Sequence, residues 1–351
     1  MVKITFFILV SFLSLTLYSQ EFVPHCHYNY VLLDKPRLKF NELKELKIMT
    51  YNTLNLEESV GRYIDTPQGR VFIPEKVSKP EWQQKKIAEI IKTEEPDFLF
   101  LQEIEGFEAI NQFSNQYLEN NYYIFQVKGN DTRGIDNVIL MNKKLPFQVE
   151  MYSFRQNKII DPNNPSLETA AFSRDFPVLI VRNTEAAANS EPVLILGGVH
   201  LKSQRDRGSD IGSKLLREKQ VEETMKILKK YREQYPNTPI IIGGDFNADL
   251  LTKPEFASLT SDANFQMTDA FNLLNKQMSG LERTTHTFHP RGGATVYSQL
   301  DAIMVNKINV KEAKIIRYKD GPIQEQLPQT YQERELNPSD HFPIVVKLEF
   351  Q

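Results

Sequence analysis

The side chains of this sequence most able to do chemistry stand in six polar clusters, each at the end of an apolar run. Asn52 follows Lys47–Tyr51, and Glu103 follows Asp97–Gln102. His200 and Lys202 follow Val193–Val199, while Asp245 and Asn247 follow Ile240–Gly244. Asp301 precedes Ala302–Val305, and Ser339, Asp340 and His341 precede Phe342–Val346. Singly each is weak. A carboxylate after a strand is usually a turn or helix cap, a lone histidine is usually a surface residue, and Asp245 with Asn247 reads as well as an Asx turn. Together they offer carboxylates, two histidines and two side-chain amides, with no cysteine among them. Such an oxygen-rich set suits a hard cation such as Mg²⁺, with Mn²⁺ or Ca²⁺ as alternatives, which keeps waters and shares its charge with a substrate phosphate. Zinc fits less well, because no His/Cys ligand spacing is present.

The elements that must position these groups follow from pattern. Lys47–Tyr51, Asp97–Gln102, Val138–Met141, Val178–Val181, Val193–Leu196, Ile240–Ile242, Ala302–Val305 and Ile344–Val346 read as strands. They are short, rich in β-branched residues and bounded by Gly, Pro, Asn or Asp. Tyr122–Phe125 reads as a buried aromatic strand. Pro80–Glu95 reads as a helix with Ile87, Ile90 and Ile91 on one face, ended by Pro96. Ser213–Tyr235 reads as a second, with Leu216, Val221, Leu228 and Tyr231 inward. Many strands, few helices and no linker or repeat predict one α/β domain with two packed sheets. Groups on loops at strand ends are held by such a scaffold.

Composition narrows the field. With 351 residues, 40% hydrophobic and 25% charged, the chain is not a disordered, collagen-like or polytopic membrane protein. Its 42 Lys+Arg against 45 Asp+Glu give a net charge of −3, so an anionic partner must be held locally rather than by bulk charge. The single cysteine, Cys26, excludes an intrachain disulfide. Lys3, the apolar run Ile4–Leu17 and Ser19 before Gln20 and Glu21 read as a secretory signal peptide. The run is shorter than the roughly 20 residues a bilayer needs. The expectation is a secreted or periplasmic protein without stable membrane insertion, and nothing predicts a protein partner.

The order Asn52, Glu103, His200, Asp245-Phe-Asn247, Asp301 and Ser339-Asp-His341 resembles the endonuclease/exonuclease/phosphatase superfamily. That superfamily includes pancreatic-type DNases, abasic-site endonucleases, bacterial sphingomyelinases and inositol-phosphate 5-phosphatases. The likeness runs from about Lys47 to the C-terminus. Its most specific stretches are Gly-Gly-Asp245-Phe-Asn and Ser-Asp340-His341-Phe-Pro-Ile, supported by Gln102-Glu103. Arg133–Leu140 and Ser173-Arg174-Asp175 are similar to segments of secreted bacterial members. The resemblance implies a four-layer α/β/β/α sandwich of two packed, mostly antiparallel sheets with outer helices, and a site at one edge. The domain would cover 46–351, behind a signal peptide at 1–19 and an N-terminal extension at 20–45.

It also implies a metal-dependent phosphoric ester hydrolase, with roles residue by residue. Asn52 and Glu103 would form the metal site, with Asp340 as a further ligand through water. Asp301 would orient His341, which would act as general base or as a cation at the phosphate. Asp245, with Asn247 beside it, would position or deprotonate the attacking water. His200 would bond the phosphate or protonate the leaving group, its ordinary pKa of about 6.5 lying near working pH. Lys202 and Arg174 read equally as phosphate contacts and as surface charges; Asn137 is a candidate substrate contact and Asp136 a turn residue. His286 and His289 are expected at the surface. His25-Cys26-His27 lacks a full ligand set, and Lys229-Lys230 reads as a solvated helix face. Leu54 stands where abasic-site relatives carry an acidic residue, which argues against a two-metal arrangement.

The leading expectation is a secreted Mg²⁺-dependent phosphodiesterase acting as a nuclease on extracellular nucleic acid, with Lys202, Arg205, Arg207 and Arg217 lining the groove. The same core could cut sphingomyelin or another phospholipid head group, or an inositol or sugar phosphate. A non-catalytic binding module is the alternative from a different class, and the intact set Glu103, His200, Asp245, Asn247, Asp301 and His341 counts against it. DNA against RNA, and endo against exo cleavage, are open at this level.

Overall fold

Ile240, Ile241 and Ile242 run without a polar break because the strand they form is covered on both faces. The computed structural model describes residues 26–30, 36–57, 61–66, 69–74, 79–187, 190–250, 252–262, 264–274, 278–291, 293–318 and 327–350. The signal peptide expected over Met1–Ser19, and His25, lie outside the described residues.

The isoleucine strand belongs to a seven-stranded sheet. Its order is β1 (Cys26–Tyr30), β8 (Phe147–Ser153), β11 (Val178–Asn183), β12 (Leu194–His200), β13 (Ile240–Asp245), β17 (Asp301–Asn306) and β14 (Thr268–Asp269). A six-stranded sheet faces it, ordered β18 (Val310–Ile315), β19 (Ile344–Glu349), β2 (Glu45–Leu56), β5 (Phe98–Glu105), β7 (Ile135–Asn142) and β6 (Tyr122–Gln126). Hairpins β3 (Gly61–Thr66) with β4 (Gly69–Pro74), β9 (Lys158–Asp161) with β10 (Asn164–Ala170), and β15 (His286–Phe288) with β16 (Val296–Ser298) stand apart from both. Pairs β12–β13 and β2–β5 are parallel, and the other pairs within the two sheets are antiparallel.

Strand alternation splits the apolar residues between layers. Ile48, Phe98, Phe100, Leu196, Ile241 and Ile303 meet between the sheets. Leu99 and Leu101, one residue out of phase, pack instead against Ile87 and Ile91 of α1 (Glu81–Glu94) and Ile110 and Phe113 of α2 (Gly106–Tyr117). Ile240 and Ile242 pack against Val221, Met225 and Leu228 of α3 (Lys214–Gln234). Each fully buried isoleucine contributes about 1.5–3 kcal/mol of apolar burial. The layers run helix, sheet, sheet, helix, as the resemblance implies.

Two differences from the sequence reading concern boundaries. Helix α2 was not expected; it follows β5 directly, and Gly106 at φ +70 makes the turn between them. Cys26–Tyr30, assigned by sequence to an extension before the domain, pairs antiparallel with β8 from Cys26↔Ser153 to Tyr30↔Val149. It is an edge strand of the larger sheet. Among the described residues no helix is long and apolar enough to cross a membrane.

Candidate active site

Sheet register assembles one side of the site. In the parallel pair His200 stands opposite Asp245, and in the next, antiparallel pair Asp245 stands opposite Asp301. Two carboxylates directly opposite each other destabilise a strand pair, so their placement here points to a role other than stability. The Gly-Gly stretch before Asp245 is required by close approach. A Cβ at Gly244, whose φ is +153, would come to 1.8 Å from the Val199 carbonyl oxygen, and one at Gly243 to 2.5 Å from the Phe100 ring. Thr285 fixes the start of β17, its hydroxyl accepting the Leu300 and Asp301 N–H groups at 2.9 Å each.

The facing sheet supplies the other side. Asn52 is buried in β2, and the pairing of β5 slips between Leu101 and Ile104, leaving Glu103 at φ +63. Such a bulge re-aims a side chain. The Ser339 hydroxyl donates to the Asn52 carbonyl at 2.8 Å and accepts the His341 N–H at 3.1 Å, which staples the last motif to the first. Behind it the Tyr318 hydroxyl donates to the His341 carbonyl and meets the Tyr51 hydroxyl at 2.8 Å.

Asp245 is the hub. Its Oδ1 accepts the Asn247 N–H at 2.7 Å, so the Asx turn is present. Its Oδ2 accepts the side-chain amides of Asn52 at 3.0 Å and Asn247 at 3.1 Å. The same Oδ2 lies 3.6 Å from His200 Nε2 and 3.9 Å from His341 Nε2. On its far side His341 Nδ1 meets Asp301 Oδ2 at 2.7 Å.

Environment separates these groups electrically. Burial, and then Asp301, push the Asp245 carboxyl up to about 7, against the pull of His341. Burial opposes a charge on His341, but the carboxylates of Asp301 and Asp245 and the bond to Asp301 carry it up to about 10. His200 goes the other way: burial and the Arg174 guanidinium push its pKa well below the ordinary histidine value. That direction favours the neutral imidazole, and with it the phosphate-bonding role over the acid role among the two expected of His200.

The oxygens of Glu103, Asn52 and Asp340 are hard donors. Asn55 N–H donates to Glu103 Oε2 at 3.1 Å, and Leu54 N–H to Asn52 Oδ1 at 3.0 Å. Asp340 Oδ2 accepts from Arg334 Nη2 at 2.9 Å, while its Oδ1 is buried without a hydrogen-bond partner. An orphaned carboxylate oxygen in an all-oxygen set fits a hard divalent ion. Although burial raises it, the Asp340 carboxyl is held far below the usual range by His286, His341 and Arg334. Among the described residues two groups bring three ligand atoms within 4.8 Å, Asp245/Asp301/His341 and His286/Asp340/His341; Glu103 joins neither.

Several flanking residues differ from expectation. Arg174 is neither a surface charge nor an open clamp: it is buried, bonding the Leu201 carbonyl, Ser173 Oγ at 2.9 Å and Asp131 at 3.4 Å. Asn137 is buried too, with its amide on the Asp175 carbonyl at 2.7 Å and its side-chain oxygen without a hydrogen-bond partner. Of the proposed basic groove, Arg217 is buried against Glu255 at 2.8 Å and Arg207 is paired with Asp161. Lys202 is half-buried with its ammonium touching only Ser203 Oγ at 3.4 Å, and Arg205 is exposed. Asp136 braces a turn as expected, accepting the Gly129 N–H at 2.6 Å. His289 is half-buried with both ring nitrogens unbonded. His286, expected at the surface, packs on His341 with ring centroids 4.6 Å apart.

Lys79 and Arg334 were missed altogether. Lys79 is 5% exposed, and its ammonium donates to the Leu54 carbonyl at 2.9 Å. Burial pushes it down to about 8 against the pull of Asp340 and Glu103. A signal existed: a lysine just before helix α1 opposes the helix dipole and so needs another reason to be there.

The chain matches the Endonuclease/Exonuclease/phosphatase family over residues 49–341. No curated protein matches it in sequence. Among solved structures it is similar to the human nocturnin catalytic domain with bound sulfate, at TM-score 0.57 and 19% identity over 91% of this chain and 97% of that one. It is also similar to D. rerio TDP2 complexed with a single-strand DNA product, at TM-score 0.54 and 18% identity over 87% and 99%. An endonuclease/exonuclease/phosphatase protein from Bacteroides vulgatus gives TM-score 0.54 and 17% identity over 88% and 99%. At such identities the likeness to these structures establishes the fold. The family match covers most of the chain, so the protein belongs to the endonuclease/exonuclease/phosphatase family of divalent-metal-dependent phosphoric ester hydrolases.

Proposed function

We propose that this protein is an exported, Mg²⁺-dependent phosphodiesterase that cleaves nucleic-acid strands by water attack at phosphorus. The observation that carries the reading is the hub at Asp245, a carboxylate raised into the neutral range between a neutral and a charged histidine. A base works best with a pKa near the operating pH. Asp245 takes the proton of the attacking water, with Asn52 and Asn247 fixing its oxygens. His341, kept charged by Asp301, offers its Nε2 proton to the phosphoryl group as charge grows there and gives it to the leaving oxygen as the P–O bond to that oxygen breaks. His200 donates a neutral hydrogen bond to the same group. Glu103, Asn52 and Asp340 would hold the ion, which when bound supplies fixed positive charge at the phosphate.

The strand-like substrate is favoured by Lys202 and Arg133, whose charges act on His200, by the exposed Arg205, and by the single-strand DNA product in the related D. rerio structure. Export rests on the basic start, apolar run and small-residue exit of Met1–Ser19. The test is incubation of the purified protein with single-stranded DNA, RNA, sphingomyelin vesicles and inositol phosphates, with Mg²⁺ or with chelator. Strand cleavage lost on chelation is expected. Cleavage of lipid or inositol phosphate alone would overturn the substrate, and cleavage indifferent to chelator would overturn the metal.

A further inference from the structure

We infer a second cation site, for a borderline transition ion such as Zn²⁺, formed by His286 Nε2, Asp340 and His341 Nε2. The two histidines lie far apart in sequence, so no spacing announces them. The fold brings them together through an antiparallel bridge between His286 and His341. Their rings are tilted at 50°, and the three ligand atoms fall within 4.8 Å of one another. His286 Nε2 stands 3.7 Å from Asp340 Oδ2, and His341 Nε2 stands 4.0 Å from Asp340 Oδ1. Ligand atoms around a tetrahedral ion with bonds of about 2.0–2.1 Å lie about 3.3 Å apart, so small side-chain rotations complete the site.

Three features favour an ion there over a merely packed cluster. Asp301 holds His341 Nδ1 at 2.7 Å, the carboxylate behind the ring that orients metal-bound histidines. Asp340 Oδ1 is buried without a hydrogen-bond partner, while Arg334 occupies the other oxygen. Two imidazoles and one carboxylate select zinc-like ions over Mg²⁺. The two sites therefore differ in softness and share Asp340.

His341 carries a proton at Nε2, so an ion here displaces that proton to solvent and takes the lone pair it leaves; the ring then has no proton to offer the phosphate. Zn²⁺ would then inhibit Mg²⁺-supported cleavage; this consequence alone rests on the proposed function. The experiment saturates the full chain with Mg²⁺, titrates Co²⁺ and follows its visible absorption, then displaces it with Zn²⁺. One saturable Co²⁺ equivalent is expected, with two exchangeable, hyperfine-shifted imidazole N–H resonances in the proton spectrum. His286→Gln should weaken Co²⁺ binding at least about tenfold and raise the half-inhibitory Zn²⁺ concentration similarly, relative to that variant's own Mg²⁺-supported rate. Asp340→Asn, read by Co²⁺ binding only, should weaken it as well. No saturable band in the wild type, fewer than two shifted resonances, or unchanged affinity in a folded variant overturns the site. If no phosphodiester is cleaved, the Co²⁺ measurements still decide the site, and the failure belongs to the proposed function.

Discussion

His200 and His341 approach the same oxygen of Asp245, at 3.6 and 3.9 Å, yet their surroundings push their pKa values in opposite directions. The His341 side is lined by carboxylates, Asp301 at 2.7 Å and Asp340 at 4.0 Å. The His200 side is lined by cations, Arg174, Arg133 and Lys202. Both rings are buried, so desolvation opposes charge on each; what differs is the sign of the neighbours. One carboxylate is thereby given a charged donor on one flank and a neutral one on the other.

The largest effect should come from removing the hub or its charged partner. Asp245→Asn or His341→Ala should lower kcat by about 10²–10⁴-fold with an unchanged circular dichroism spectrum. A variant with near-normal kcat breaks the comparison outright. Asp301→Asn should cost less and move the pH profile. Activity in the wild type should fall below about pH 7 as Asp245 gains a proton and fall again towards about pH 10 as His341 loses one. Asp301 raises both groups, so removing its charge should shift both limbs to lower pH. Limbs that stay in place would show that Asp301 does not set these charges.

Smaller effects separate structure from binding on the cationic side. Arg174→Lys keeps the charge but loses the fork that bonds Leu201 and Ser173, and should cost about 1–3 kcal/mol of stability in urea unfolding. Unchanged stability with a raised KM would make Arg174 a phosphate contact instead. Arg205→Ala, at an exposed position, should leave kcat unchanged, raise KM a few-fold and reduce the salt slope of strand binding by about 1.

The strand-end residues were legible in sequence because they combine a local pattern with a chemical type. An apolar run closed by Gly-Gly-Asp245-Phe-Asn or Ser-Asp340-His341 marks both the sheet and the group it presents. What sequence could not show is which polar residues the fold consumes. Arg174 reads in sequence as a phosphate contact or a surface charge and Arg217 as a groove cation, but they satisfy buried carbonyls and Glu255. His286 was misplaced for the converse reason, since its position depends on a hairpin bridging a distant loop. The opposite pKa shifts were equally hidden. They depend on Asp301 and Arg174, which reach the two rings from separate elements.

The most direct measurement is an NMR titration of the His200 and His341 rings in one sample of the wild-type protein. His341 should be an imidazolium at pH 7 and lose its proton near pH 10, while His200 remains neutral throughout. Two rings titrating together near the ordinary value of about 6.5 would contradict the account.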